Sequence, residues 1–229
     1  MIRLIEIAHF EHQVTGVTVS PDNRVFVNFP RWTDEAPTSV AEILADGTVR
    51  AYPDEKRNAW RNAKANEMEV EEHFVCVQSV VADRHGALWA LEPAAPANEK
   101  ILPGGLKLVR IDLAGDNVTQ VITFAPDVAL QGTYFNDIRL SPDGQKGYIT
   151  DSGTRGAIIV VDLQSGESFR ALDGHPSTQL KKDVVLEVDG AQLRAVLFAP
   201  DSLEPSSALM AAIVKSAILH GSTSGRHAR

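Results

Sequence analysis

The chain has 229 residues, a hydrophobic fraction of 44% and a charged fraction of 23%, a globular composition with enough apolar content for one large domain or two small ones. A net charge of −8, with only short basic runs at Lys56-Arg57, Lys181-Lys182 and the Arg226 to Arg229 tail, speaks against nucleic acid and anionic membranes as partners. The single Cys76 excludes an intrachain disulfide, no apolar stretch reaches the length of a membrane span, and Met1 to Phe10 has no signal-peptide pattern.

In chain order, a buried run, a tight turn built on Asp and a second buried run recur three times. The first copy is Val17 to Asn23 followed by Val25-Phe26-Val27, with Val17 and Val19 facing one way. The second is Ser79 to Gly86 followed by Leu88 to Leu91, and the third is Asn136 to Gly144 followed by Tyr148-Ile149-Thr150. Turn starts at Ser20, Ala82 and Ser141 give steps of 62 and 59 residues. That period is too long for a helical hairpin and suits a four-stranded blade with its loops. The phrases Leu108 to Leu113 and Ile159 to Leu163, each ending in Asp-Leu, extend the repeat to a third strand. Asp46-Gly47, Asp143-Gly144, Ser165-Gly166 and Asp189-Gly190 are hairpin turns that accept positive φ.

Phe74 to Val81 and Ala157 to Leu163 are continuous apolar runs, as expected of sheets packed on both faces. Cys76, between Val75 and Val77, is expected as a buried, inert thiol in a strand. Asp54 to Glu72 breaks the strand pattern and reads as an excursion with a short helical turn that carries Trp60, Ala63 and Met68. Leu91 to Gly105, rich in Pro and Gly, reads as a long loop. Ser206 to Leu219 fits an apolar helical face by local propensity and two strands by the repeat register, and both readings stand.

Familiar catalytic signatures are missing. The seven histidines show no i, i+4 metal pair, His175 before Pro176 reads as a turn residue, and there is no Gly-x-Ser-x-Gly elbow or phosphate loop.

An ordered set of phrases resembles the major royal jelly/yellow protein family, in particular its bacterial members. They are Val14 to Val17, Asn28-Phe29-Pro30-Arg31-Trp32, Ser39 to Glu42, Tyr52-Pro53 and Phe74 to Asp83. Further on come Leu88 to Glu92, Lys107-Leu108-Val109, Tyr134 to Arg139, Tyr148 to Gly153 and Gly174 to Ser177. The resemblance implies an all-β fold, a six-bladed β-propeller. At about sixty residues per blade, 229 residues hold three to four blades, so an incomplete ring is expected. Residues 1–201 then form about three and a half blades, and 202–229 form a divergent tail in which Ser202 to Ser207 replaces the expected next blade opening.

The resemblance also directs attention to blade openings. In propellers of the gluconolactonase/senescence-marker type, similar in architecture, an Asn and an Asp at successive blade openings bind a divalent metal. Asn136 and Asp201 match those positions and would be ligands for a divalent cation, Ca²⁺ or Zn²⁺. Gly16 stands where a first-blade Glu is expected, and the second blade offers Gln78 and Ser79. Asn136, Asp137, Gln78, Phe135 and Asp151 are the expected ligand-binding residues; Asn136-Asp137 as strand caps and Asp151 as a turn residue are the structural alternatives. Phe29, Trp32, Tyr134 and Phe135 would add aromatic surface or plain core.

Three readings follow. The first is a small-molecule-binding propeller with an aromatic amine or similar ligand at the channel mouth. The second is a metal-dependent lactonase-like hydrolase or dopachrome-type tautomerase. The third is a truncated, inactive remnant that self-associates through uncovered blade edges. The family resemblance implies a secreted or periplasmic protein; a cytoplasmic one follows if Met1 is the native start.

Overall fold

The computed structural model describes residues 6–32 and 36–179, together with a short hairpin at Glu187–Val188 and Ala191–Gln192. Three four-stranded antiparallel sheets dominate, each a meander in which consecutive strands are neighbours. The first comprises β1 (Gly16–Val19), β2 (Val25–Asn28), β3 (Val40–Ile43) and β4 (Val49–Ala51). The second comprises β5 (Ser79–Ala82), β6 (Ala87–Glu92), β7 (Lys107–Asp112) and β8 (Asn117–Thr123). The third comprises β9 (Phe135–Leu140), β10 (Lys146–Asp151), β11 (Ala157–Asp162) and β12 (Ser168–Ala171). The four-stranded meander is the propeller blade. The chain forms two compact units, one carrying β1–β8 and the other β9–β12.

One chemical device closes the first hairpin of each four-stranded sheet. Arg24 N–H donates to Ser20 Oγ (3.0 Å), Ala87 N–H to Asp83 Oδ1 (2.9 Å), and Gln145 and Lys146 N–H to Ser141 Oγ (3.2 and 2.9 Å). The side chain that anchors the turn is therefore Ser, Asp and Ser in turn. A short oxygen-bearing side chain takes N–H groups that the tight reversal would leave unpaired. The Asp-Leu phrases are equivalent as well: Leu113 N–H meets Gly86 O and Leu163 N–H meets Gln145 O, both at 2.9 Å.

Within the first unit, Phe26, Val40 and Tyr52 of the first sheet and its border pack with Val80, Leu88, Ala90, Val109 and Ile111 of the second. At one edge of this layer, Arg24 bonds Glu42 (2.7 Å), Asp116 (2.8 Å) and the Leu113 carbonyl (2.8 Å). Tyr52 Oη also donates to Asp116 (2.8 Å), and the Arg24 guanidinium lies over the Phe26 and Tyr52 rings.

The apolar run from Phe74 departs from the expectation of one strand. Strand pairing begins only at Ser79, and Cys76 lies in a bend. The cause is long-range. The buried Glu92 carboxylate accepts the N–H groups of Val75 (2.7 Å), Cys76 (2.9 Å) and Ala94 (2.7 Å), while Arg31 takes the Phe74 carbonyl at 2.5 Å. Side chains, not a neighbouring strand, satisfy this backbone. Cys76 is buried as expected, and burial pushes its thiol pKa up.

The 54–72 excursion contains two 3₁₀ turns, Asn62–Glu67 and Val70–Glu72. Trp60 is buried and Met68 packs on the same cluster, but the alanine that joins them is Ala65; Ala63 is exposed. The turn is kinked at Lys64, which breaks the row from Trp60 to Ala63; Ala65 and Met68, three residues apart, then share the inward side. The 202–229 tail, with its open choice between helix and strand, lies outside the described residues.

Candidate functional site

The opening ends of the first strands carry the candidate residues. In the first unit, β1 and β5 run side by side, tied by Ala82 N–H to Thr18 Oγ1 (3.0 Å) and by Thr15 Oγ1 to the Gln78 carbonyl (3.1 Å). Between these ends lies Asn28, the last residue of β2 and the partner of Gly16 in the ladder. Its Nδ2 donates to Thr15 Oγ1 (2.7 Å) and to the Val77 carbonyl (2.9 Å). A carbonyl only accepts, so this contact fixes which end of the amide is nitrogen. Oδ1 then points the other way, buried and without a hydrogen-bond donor.

The glycine at position 16 follows from this arrangement. A Cβ there would collide with Asn28 Oδ1. A Glu at this opening, where the first-blade acid was expected, would require the Asn28 side chain to move. Gln78 is buried at the neighbouring opening, where its N–H donates to Leu91 O (2.9 Å), and Ser79 is buried beside it.

In the second unit, Phe135 is fully buried and begins β9. The ladder then slips. Phe135 pairs with Asp151 and Asp137 pairs with Thr150, so Asn136 is the extra residue of a β-bulge. Bulges re-aim side chains, and the half-buried Asn136 amide makes no hydrogen bond with any described residue. Its neighbour Asp137 is committed to the fold: Oδ1 accepts from Arg139 Nη1 and from Ile138 N–H, each at 2.9 Å.

Asp151 is more heavily committed. Its carboxylate is buried and accepts from Tyr134 N–H (2.8 Å), Gly153 N–H (2.9 Å), Thr133 Oγ1 (2.5 Å) and Arg170 Nη1 (2.8 Å). Arg170 is itself nearly buried and also bonds the Val128 carbonyl. This ion pair ties the 128–134 loop to the end of β10. His175 caps a 3₁₀ turn through Nδ1 and Ser177 N–H, the turn role expected for it.

Asp201, the second expected metal ligand, lies outside the described residues. Among the described residues, no cluster of three or more His, Cys, Asp or Glu could hold a metal ion. No described helix is long and apolar enough to cross a membrane.

Of the aromatic residues, Tyr134 and Phe135 are core, and Trp32 packs against the Trp60 cluster. Phe29 meets Phe10 edge to face at 5.4 Å and walls a cleft of about 240 Å³ with Pro37 and Val49. Sequence reasoning missed Asn28 as the residue that shapes the first blade opening. Its one visible signal was a polar residue ending an otherwise apolar strand, directly before an aromatic. The family model described as major royal jelly protein matches residues 75–204, more than half of the chain, and no curated protein matches it.

Proposed function

This chain belongs to the major royal jelly protein family, a propeller family, and from that premise we propose that it is a small-molecule-binding propeller. The ligand we propose is an aromatic amine or a similar donor-bearing molecule, held at the opening ends of the blade strands. The observation that carries this reading is the Asn136 amide, set on a bulge at a blade opening and making no hydrogen bond with any described residue. Asp137 and Asp151 beside it are used up by Arg139 and Arg170, so Asn136 is the expected residue still able to offer a hydrogen bond. The oxygen of that amide calls for a hydrogen-bond donor on the ligand. An amine or hydroxyl supplies that donor and a carboxylate does not.

Titration calorimetry against a panel of catechol and indole amines tests the proposal. Asn136→Ala is expected to weaken the best binder by roughly tenfold, the loss of one hydrogen bond of about 1 kcal/mol or slightly more. The thermal midpoint should scarcely move, because the side chain bonds no described residue. No heat across the panel at millimolar ligand overturns the reading.

A further inference from the structure

The bulge that carries Asn136 is gripped at both ends by side chains of β10. Asp151 Oδ1 accepts the Tyr134 N–H at 2.8 Å, and Thr150 Oγ1 accepts the Asp137 N–H at 3.2 Å. Ser152 N–H donates to the Tyr134 carbonyl at 2.9 Å, so both polar groups of the Tyr134 backbone are fixed. Gly153 lets the two segments meet, because a Cβ there would collide with the Gly132 carbonyl and crowd the Tyr134 nitrogen.

Asp151 is in turn held by Arg170 of β12, which lies at the opposite edge of the sheet from β9. The guanidinium is shared among several partners. Its Nη1 also donates to the Val128 carbonyl (2.8 Å), its Nη2 to the Arg155 carbonyl (2.6 Å) and its Nε to Asp173 (2.9 Å). The Asp151 side chain is fully buried and that of Arg170 is 5% exposed. A buried ion pair adds little net stability over apolar side chains of the same size, and its best-attested use is to fix one arrangement. The arrangement fixed in this sheet is a bulge, which decides where one side chain points.

We propose that the Asp151–Arg170 ion pair is the positioning device of the candidate site: it anchors the Tyr134 end of the bulge and so sets the direction of the Asn136 amide. Its bearing on affinity rests on the reading that Asn136 contacts the ligand; the positioning itself does not. Asp151 and Arg170 then act on the ligand through Asn136 alone. The need for Arg follows from the geometry, since one planar fork serves two carboxylates and two carbonyls at once and an ammonium does not.

Arg170→Lys keeps the charge facing Asp151 and loses the fork, while Thr133→Val removes one donor to the same carboxylate with little change of shape. Heteronuclear NMR on the full, ligand-free chain reads both variants, with the Asn136 side-chain amide assigned by its loss in Asn136→Ala. In Arg170→Lys the Tyr134 N–H should exchange roughly tenfold faster, with far smaller changes at the buried Ile149 and Ile159 of the same sheet, and the Asn136 amide signals should shift. Thr133→Val should show the same changes in smaller measure, and it carries the test if thermal melting finds Arg170→Lys unfolded. Calorimetry with the tightest amine of the panel then reads affinity. Arg170→Lys should weaken it by up to the roughly tenfold loss of Asn136→Ala, and should cost nothing further in the Asn136→Ala background. Equal losses in both backgrounds, equal acceleration at Tyr134, Ile149 and Ile159, or unmoved Asn136 signals in the variants each overturn the proposal. If no amine of the panel binds, the ligand reading fails and the NMR result alone decides the positioning.

Discussion

At the scale of single residues, Asn28 and Gly16 form a matched pair. The amide crosses to Val77 and Thr15 with its nitrogen and lays its oxygen in the space that a side chain at 16 would need. Gly16→Ala must therefore push on an amide held by two hydrogen bonds. Overpacking of this kind costs about 1–3 kcal/mol, and urea unfolding should register it as a lower midpoint with an unchanged slope. An unchanged midpoint would mean that Asn28 turns aside freely and that its two bonds do not hold it. Asn136 differs in kind, because its side chain bonds no described residue. The same residue type serves the fold in one unit and is the proposed ligand contact in the other.

At the scale of elements, the hairpins were legible and the bend at 74–78 was not. The turns at Ser20, Asp83 and Ser141 satisfy their own N–H groups within a few residues, so local sequence carries all of the chemistry. The backbone at Val75 and Cys76 is met by Glu92 from the end of β6 and by Arg31 from beyond β2, and no local pattern records partners so far away. The site divides along the same line. Asn136 was readable from its place in a repeated phrase, but the bulge that frees it depends on a slip against β10. Asn28 was missed because its importance lies in Thr15 and Val77. The bend makes its own prediction. Both Glu92 oxygens accept N–H groups, and Lys107, its register partner on β7, sends its ammonium to the Val70 and His73 carbonyls. Burial pushes the Glu92 carboxyl pKa up and the Lys107 pKa down. Glu92→Gln would turn an NH₂ group toward an N–H donor. A loss on the order of 3 kcal/mol is expected, as when one partner leaves a buried charged network. Hydrogen exchange should quicken at Val75, Cys76 and Ala94 before it does elsewhere; uniform exchange would show that the bend has other supports.

At the scale of the molecule, the three repeated sheets and the family are what the sequence carried furthest, since each repeat confirms the others. What holds neighbouring sheets together was hidden in scattered charged residues. Within the first unit that task falls to Arg24, whose guanidinium joins Glu42 of β3, Asp116 of the β7–β8 turn and the Leu113 carbonyl. Arg50 also bonds Glu42, and Tyr52 bonds Asp116. The hydrogen bond from Arg24 holds the Glu42 carboxyl below its usual range, with Arg50 acting in the same direction and burial opposing both. A carboxyl whose folded pKa lies below its unfolded value binds fewer protons in the folded state, so stability rises with pH across that interval. The contribution is fully present above the unfolded value of about 4.3 and is lost as pH falls through the folded one. Urea midpoints measured from neutral pH down to pH ~2 should therefore fall on the acid side. Glu42→Gln should be less stable at neutral pH, and its midpoint should approach that of the wild type as the medium becomes acidic. Two curves that stay parallel over the whole range would mean that Arg24 binds the amide as well as the carboxylate, and that the charge of Glu42 does not hold the two sheets together.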